Sequence, residues 1–217
     1  LFGALDQKPL GSFGQMAALS FHETKNITCG EGGALVLNDP AWVEKAEIIR
    51  EKGTNRSAYF RGQAACYTWK EIGSSYLPSE LLAAFLYAQF EQACEIQQRR
   101  EWIWKYYQTH LQDWAARRGV QLPHVPEACA PAWHIFYMLM PDSRQRDGLI
   151  SHLEKHGIKA VFHYLPLHSS EKGKTYAAGQ HSCPVAEDCA GRLIRLPLYV
   201  DLTEQNLDMI VRRIQQF

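Results

Sequence analysis

The sequence predicts an α/β protein built of two domains joined by a long helix. Short apolar runs of strand length lie near the N-terminus, and an uninterrupted helical stretch of about forty residues comes after them. Predicted strands then alternate with predicted helices to the C-terminus, which is the pattern of an α/β or α+β domain. A chain of 217 residues is long enough for two modest domains, each with a core.

The first predicted elements are two buried strands and a helix. Residues 15–21 and 33–38 are apolar runs bounded by glycines, which is typical of buried strands. Asp39 and the proline after it predict the start of a helix that runs to about Arg50. Residues 53–75 show no regular pattern, and a loop of this length is usually functional or packed on a partner.

Residues 79–119 predict one long helix, or two helices joined by a bend. Ser79 is a suitable N-cap, Gly119 is a typical C-terminal stop, and neither proline nor glycine lies between them. The first half is almost wholly apolar, so we expect it to be buried, whereas the second half is amphipathic. Four aromatic residues of the second half can belong to a core or to a platform for stacked bases, and the absence of a basic groove favours the core. They are Trp102, Trp104, Tyr106 and Tyr107.

Predicted strands and helices alternate after this helix. The predicted strands span residues 134–140, 159–165 and 192–198. The predicted helices span residues 146–156, 183–190 and 204–216. We expect these elements to form the second domain.

The composition excludes several classes of function. Hydrophobic residues make up 46% and charged residues 21% of the chain, and the formal net charge is zero, so neither nucleic acid nor an anionic membrane is a predicted partner. No apolar run approaches the roughly 20 residues of a membrane span. The six cysteines include no CxxC pair, which indicates free thiols in a reducing cytoplasm. No metal site is predicted, because His163 with His168 and His181 with Cys183 lack further ligands at suitable spacing.

The segment SFHETKNITCGEGG, residues 20–33, places one lysine between two predicted strands. If Lys25 is partly desolvated there, its amine can exist uncharged and attack a carbonyl carbon. Ser20 and the backbone amides around Gly30 and Gly33 can hold an anion such as a phosphate. A lysine nucleophile beside a phosphate cradle is what pyridoxal phosphate requires, although an exposed loop lysine is the commoner case. From these residues alone, both interpretations of Lys25 stay open.

The segment SFHETKNITCGEGGALVLND, which begins at Ser20, resembles the lysine motif of the sugar-nucleotide aminotransferases in the DegT/DnrJ/EryC1/StrS family. The likeness continues through IGSSYLPSELLAA and VFHYLPLH to RLPLY, and it covers essentially the whole chain. It implies the type I pyridoxal-phosphate transferase fold, which is aspartate aminotransferase-like, with the N-terminal part of the large domain lacking. Residues 1–92 would then be the C-terminal part of the PLP-binding large domain. Residues 93–217 would be the small C-terminal α/β domain, entered by the long helix.

The resemblance also implies a reaction. Lys25 would hold pyridoxal 5'-phosphate covalently, and its released amine would act as general base and general acid. The amino group would pass from L-glutamate to C4 of a dTDP-4-keto-6-deoxyhexose and give dTDP-4-amino-4,6-dideoxygalactose. Surface polysaccharides such as lipopolysaccharide and enterobacterial common antigen would use this product. Relatives that aminate C3 and relatives that act as dehydrases with a histidine are alternatives, and Lys25 argues against the dehydrases.

Further cofactor contacts are implied by the same resemblance, which also implies a homodimer with active sites at the interface. Ser20 matches the serine that binds the cofactor phosphate, while His22 and Asn26 are neighbours with less defined roles. Many relatives carry an asparagine or arginine that crosses the interface to the partner's cofactor phosphate. Leu77 stands at that place in this chain, so Ser75 is the candidate replacement.

Substrate contacts are expected from two other segments. His163, Tyr164 and His168 flank a proline turn that faces the active site in this family. The alternative is that one of these histidines is an ordinary strand-end residue. Arg56 and Arg61 are candidates for the pyrophosphate, because a guanidinium group suits paired oxygens, with solvated surface arginines as the alternative.

One feature of the family is absent from the sequence. The aspartate that lies under the pyridine nitrogen belongs to a D-x-A-[QH] segment, and the first residues of this chain resemble the stretch immediately C-terminal to that segment. Asp6 is no substitute, because we expect it in the hairpin beyond. We therefore expect that roughly the N-terminal two-fifths of the family's length lies outside this chain, which starts at Leu1. A non-catalytic homologue that only folds, dimerises or binds nucleotide is the alternative function.

Overall fold

The computed structural model describes residues 1–176 and 182–217, so His181 lies outside the described residues. The described residues form two compact units. The first comprises Leu1–Cys94 and Glu127–Ala132, and the second comprises Glu95–Pro126 and Trp133–Phe217. The division that the family resemblance implies has its boundary after residue 92, two residues earlier, and it assigns residues 127–132 to the second domain.

The strands of the described residues are short, and those of the second unit are shorter than predicted. They are β1 (Ala4–Leu5), β2 (Lys8–Pro9), β3 (Met16–Ser20), β4 (Gly33–Leu37), β5 (Cys129–Ala130), β6 (Phe136–Leu139), β7 (Val161–Phe162) and β8 (Leu193–Leu196). The helices are α1 (Val43–Arg50), α2 (Arg56–Phe60), α3 (Glu80–Glu91), α4 (Ala93–Arg118), α5 (Ser143–Glu154), α6 (Glu171–Tyr176), α7 (Pro184–Arg192) and α8 (Glu204–Gln215).

The two predicted strands around the lysine segment are confirmed, but their predicted burial is wrong. β3 and β4 pair antiparallel, with Met16 opposite Leu37 and Ser20 opposite Gly33. Most side chains of this two-stranded ribbon are exposed, including Leu35. The ribbon has no further strand beside it in the described part of the chain, so no sheet extends it there.

A hairpin at the N-terminus explains the position of Asp6. β1 and β2 are joined by the two residues Asp6 and Gln7, whose φ angles are +47° and +63°. Two successive positive φ angles are the signature of a type I′ hairpin turn. β5 pairs with the other edge of β1, with Ala4 opposite Ala130, and this pairing holds the return segment in the first unit. The prediction that Asp6 lies in a hairpin is therefore confirmed.

The predicted long helix is two helices joined by a bend at Gln92, which lies between α3 and α4. Ser79 caps α3, since its Oγ accepts a hydrogen bond from the Leu82 amide at 3.3 Å. The expectation that the apolar first half is buried is wrong for the described residues. None of the α3 side chains is buried, and Leu81 and Phe85 are 84% and 55% exposed. Apolar composition does not by itself supply the surface against which a helix packs.

The core of the second unit lies between α4, an antiparallel sheet and α8. The sheet has the order β6–β8–β7, and Phe136 pairs with Leu196 across its first two strands. Fully buried side chains come from all three layers: Ile103, Tyr107, Leu111, Phe136, Met138, Ile194, Leu207 and Ile214. Trp104 and Tyr107 belong to this core and Tyr106 packs against it, so the core interpretation of the aromatic cluster is confirmed for these three.

Arg100 on α4 ties the chain that enters β6 to this core. The side chain is 7% exposed, and its Nε donates a hydrogen bond to the Trp133 carbonyl at 3.1 Å while Nη2 donates to the His134 carbonyl. Burial lowers the pKa of Arg100 to about 10. Trp133 has a φ of +51°, a left-handed conformation that a non-glycine residue rarely adopts. The two bonds from Arg100 hold this unusual turn at the start of β6.

Candidate active site

The loop between β3 and β4 is folded around its own apolar residues. Phe21, Ile27 and Cys29 are buried. The Phe21 amide donates to the Gly32 carbonyl at 2.8 Å, and the Cys29 amide donates to the Phe21 carbonyl at 2.9 Å. The ring of Phe21 also meets that of Phe90 edge to face, with centroids 5.6 Å apart. These contacts give the polar residues of the loop a defined support.

Lys25 lies at the outer turn of this loop. Its backbone amide donates to the His22 carbonyl at 2.9 Å, which closes the turn. The side chain is exposed, so the condition of partial desolvation is not met in the described residues. No carboxylate of the described residues lies within 4.0 Å of its amine. The Lys25 amine therefore forms no ion pair with a carboxylate of the described residues.

Ser20, His22 and Asn26 flank Lys25 along the chain of the loop. The Ser20 Oγ at the end of β3 accepts a hydrogen bond from the His22 amide at 3.4 Å. The His22 Nδ1 accepts from the Thr24 amide at 3.3 Å, so the proton of a neutral ring lies on Nε2, 3.6 Å from the Glu31 carboxylate. The Asn26 Nδ2 donates to the Ala132 carbonyl at 2.5 Å and fastens the loop to the return segment.

The backbone geometry of the loop accounts for two of its glycines, Gly30 and Gly33. Gly30 has a φ of +84°, and its amide donates to the Thr28 Oγ at 3.0 Å, so this amide is not available to a phosphate. A Cβ at Gly33 would lie 2.9 Å from the Leu19 carbonyl oxygen. The expected cradle is therefore wrong for Gly30, whereas the roles of Ser20 and of the Gly33 amide stay predictions.

The loop fits pyridoxal phosphate at two points. The unpaired amine of Lys25 is the group that the cofactor aldehyde requires, and the exposed Ser20 hydroxyl is a donor for a phosphate oxygen. Both residues lie on one loop with a buried base, which limits how far they can move apart. Ser75, the other predicted phosphate contact, is exposed, and only its backbone pairing with Glu51 is defined, so its role stays a prediction.

Residues 51–75 form a segment that is closed at its base. Glu51 and Ser75 form a backbone bridge, and the Gly53 carbonyl accepts from the Lys70 amide at 2.7 Å. Asn55 is buried and holds the middle of the segment, since its Nδ2 donates to the Cys66 carbonyl at 3.0 Å. The predicted irregular loop thus has a fixed frame, and it contains the short helix α2.

Arg56 and Arg61 both face carboxylates of the same unit. The Arg56 Nη1 lies 3.2 Å from the Glu51 carboxylate. Arg61 forms a two-pronged pair with Glu47, at 2.8 Å and 2.5 Å. A guanidinium group that is already paired gains less from a pyrophosphate than a free one. The assignment of Arg56 and Arg61 to the substrate pyrophosphate therefore stays a prediction.

Glu51 is the residue of this segment that sequence reasoning missed. Its side chain is 8% exposed, and it accepts hydrogen bonds from the Ser57 Oγ at 2.9 Å and from Arg56. Burial alone would raise the pKa of Glu51, but the bonds from Ser57 and Arg56 hold it below its usual value. A buried glutamate at the end of α1 carries no sequence signal, because both partners lie in the irregular segment after it.

Glu51→Gln is expected to lower the free energy of unfolding by about 1–2 kcal/mol at pH 7, because the amide cannot accept both bonds. Folding lowers the pKa of Glu51, so the carboxylate stabilises fully above the ordinary glutamate pKa of about 4.3 and loses this effect as the pH falls through the lower folded value. Denaturant titrations on both sides of that pH measure the effect, with the exposed Glu127→Gln as control. A difference that persists unchanged in acid contradicts the assignment.

The structure separates the environments of the two predicted histidines in the second unit. The His168 Nε2 lies 2.8 Å from the Glu187 carboxylate, and this bond lowers the pKa of Glu187. His163 comes directly after β7, and its Nδ1 is buried without a hydrogen-bond partner. The exposed ring of Tyr164 lies 5.1 Å from the His163 ring. His168 thus has a structural partner, whereas His163 keeps an unused polar atom.

Arg195 on β8 is a neighbour of His163 that the sequence analysis did not single out. Its guanidinium carbon lies 5.6 Å from the Tyr164 ring centroid. Burial and the Arg195 charge lower the pKa of His163, which favours a neutral imidazole. The sequence signal that could have identified Arg195 was an arginine inside the apolar run LIRLPL.

No group of three or more metal-binding side chains occurs within residues 1–176 and 182–217. No helix there is long and apolar enough to span a membrane.

Comparison with known proteins supports one family. A model of the DegT/DnrJ/EryC1/StrS aminotransferase family matches residues 2–215. The spore coat polysaccharide biosynthesis protein SpsC of Bacillus subtilis is 28% identical over 218 residues, which cover 96% of this chain and 55% of SpsC. The chain spans about half the length of the curated relatives that it matches.

Solved structures agree with this match. A DegT DnrJ EryC1 StrS aminotransferase from Brucella abortus is 28% identical, with a TM-score of 0.84 over 99% of this chain and 54% of that chain. The PLP form of the putative sugar aminotransferase Spr1654 from Streptococcus pneumoniae has a TM-score of 0.83 over the same shares of the two chains. It is 22% identical, so it bears on the fold alone. The predicted type I transferase fold is confirmed, over a little more than half of these chains.

Proposed function

The chain belongs to the DegT/DnrJ/EryC1/StrS aminotransferase family, and from this premise we propose that it carries the lysine loop and the C-terminal domain of a pyridoxal-phosphate-dependent sugar aminotransferase. The observation that carries the proposal is the unpaired amine of Lys25 on a loop with a buried base, beside the hydroxyl of Ser20. An ordinary surface lysine would not need this support.

Each residue of the loop has a task in this proposal. Pyridoxal phosphate, when bound, supplies an electron sink that makes the C–H bond beside the amino group acidic. The Lys25 Nζ takes that proton as a general base and returns it as a general acid. The Ser20 hydroxyl donates a hydrogen bond to the phosphate, and Asn26 keeps the loop in place through its bond to Ala132. The His22 ring is held by Thr24 and Glu31, and its carbonyl accepts the hydrogen bond from the Lys25 amide that closes the turn.

For the substrates, we propose L-glutamate as the donor and a dTDP-4-keto-6-deoxyhexose as the acceptor, aminated at C4. The motifs IGSSYLPSELLAA, VFHYLPLH and RLPLY support this choice, because within the family they resemble those of dTDP-4-amino-4,6-dideoxygalactose transaminase most. The product would be dTDP-4-amino-4,6-dideoxygalactose, made in the cytoplasm for a surface polysaccharide. The polysaccharide role given for SpsC is consistent with such a use. His163 and Tyr164 are the proposed substrate contacts, and a homodimer is the proposed assembly.

A product assay tests this substrate assignment. The full-length protein that contains this chain is incubated with pyridoxal phosphate, L-glutamate and dTDP-4-keto-6-deoxyglucose, and the sugar product is identified by mass spectrometry and by NMR of its ring protons. We expect a 4-amino sugar of galacto configuration. Turnover with the 3-keto isomer alone would replace the C4 assignment with C3. Binding of the nucleotide sugar without any turnover would favour the non-catalytic homologue.

A further inference from the structure

Arg195 occupies the middle of the sheet of the second unit. It lies on the central strand β8, directly opposite Tyr137 of β6 and Val161 of β7. Its neighbours Ile194 and Leu196 are buried in the core, so Arg195 projects from the other face of the sheet. That face carries Tyr137 and Val161 beside it, and Arg195 itself is half-buried.

A half-buried arginine is normally paired with a carboxylate, and among the described residues Arg195 has no such partner. Its Nη2 makes one long hydrogen bond to the Phe162 carbonyl, at 3.4 Å, and its Nε is buried without an acceptor. Among the described residues no carboxylate lies within 4.0 Å of it, although Arg56, Arg61 and Arg192 each have one. A half-buried cation without a counter-charge is costly unless an anion from outside the chain pairs with it.

His163 adds a second unsatisfied group to the same face of the sheet. It lies two residues beyond Val161, and alternation along the strand places it on the side of Arg195. Its Nδ1 is buried and unpartnered, and its ring adjoins Tyr164, on which the Arg195 guanidinium also lies. The lowered pKa of His163 favours a neutral ring, which can donate one hydrogen bond without adding a second positive charge.

We propose that Arg195 and His163 form a binding site for an oxyanion, with Arg195 as the charged fork and His163 as the second donor. The guanidinium geometry suits the paired oxygens of a carboxylate or a phosphate. The choice between these rests on the proposed function, in which the amino donor supplies a carboxylate and the nucleotide sugar supplies a pyrophosphate. Tyr164 forms the side of the site and keeps the guanidinium group in position.

Anion titrations of the full 217-residue chain, followed by NMR of the His163 ring, test the site without cofactor. The His163 resonance is assigned with His163→Gln, and the probes are glutarate and inorganic pyrophosphate at constant ionic strength. We expect one probe to shift this resonance saturably. Arg195→Gln should weaken that binding about tenfold or more, because a charge-assisted bond is lost, and Arg195→Lys should weaken it less. The exposed Arg117→Gln should bind as the unaltered chain does. Glutarate binding identifies the donor as the source, and pyrophosphate binding identifies the nucleotide sugar.

Two results would overturn the proposal. One is the absence of a saturable shift with either probe, and the other is equal affinity in the unaltered chain and in Arg195→Gln. If circular dichroism shows that Arg195→Gln does not fold, Arg195→Lys decides, since it keeps the charge and loses the fork. The titration needs neither pyridoxal phosphate nor Lys25. Failure of the aminotransferase proposal therefore leaves the anion result readable, and failure of the anion site leaves cofactor attachment to Lys25 unaffected.

Discussion

Lys25→Ala is expected to abolish the absorbance band at ~420 nm that pyridoxal phosphate gives when its aldehyde is joined to a lysine amine. The exposed amine of Lys25 has no carboxylate within 4.0 Å in the described residues, so no competing ion pair has to be broken when the cofactor attaches. The buried residues Phe21, Ile27 and Cys29 support the loop in the variant as well, so the loss should be specific to the amine.

Spectra of the purified full-length protein with added cofactor measure this effect, and borohydride reduction followed by peptide mass spectrometry locates the attachment. Lys45→Ala on α1 is the matched control, because Lys45 is also exposed but lies outside the loop. The band should remain in Lys45→Ala. Attachment at another lysine, or a band that survives in Lys25→Ala, would refute the assignment of Lys25.

Phe136→Ala is expected to lower the free energy of unfolding by about 3–5 kcal/mol, which is a large share of the stability of a domain. Phe136 is fully buried, and its ring lies 5.4 Å from that of Trp104 and 5.2 Å from that of Tyr107. Alanine leaves a cavity between β6 and α4 that these large rings cannot fill without leaving their rotamers.

Denaturant unfolding followed by tryptophan fluorescence measures this cost. Phe60→Ala is the matched control, because it removes the same atoms from a side chain that is 71% exposed. The control should change stability by no more than about 0.5 kcal/mol. Similar losses in the two variants would mean that Phe136 does not lie in a packed core.

Local sequence signals predicted the elements of this protein well, and burial poorly. Ser79 and Gly119 marked the two ends of the long helical stretch, because caps and stops depend on residues within one turn. The exposure of Leu81 and Phe85 could not be predicted in this way, since burial depends on what lies opposite a helix. For the same reason, the exposure of β3 and β4 could not be predicted, although their apolar runs suggested buried strands.

The candidate site was predictable where it lies on one short segment. Ser20, His22, Lys25 and Asn26 share a single loop, so a motif could identify them together. Pairings between distant residues were not predictable, and they decide the environment of the other candidates. His168 meets Glu187 at a separation of 19 residues, and Arg61 meets Glu47 at 14. Arg195 stands out only when the sheet register places it beside Val161.

The closed base of residues 51–75 decides which of its positions tolerate a new side chain. Gly53 has a φ of +76°, and a Cβ at Gly73 would lie 2.3 Å from the Gly53 nitrogen, so neither position can accept a side chain without rearrangement. Phe60 and Tyr67 are exposed and meet no such restriction. Substitution at Phe60 or Tyr67 therefore leaves the backbone of the segment in place, whereas a side chain at Gly53 or Gly73 would force its closed base apart.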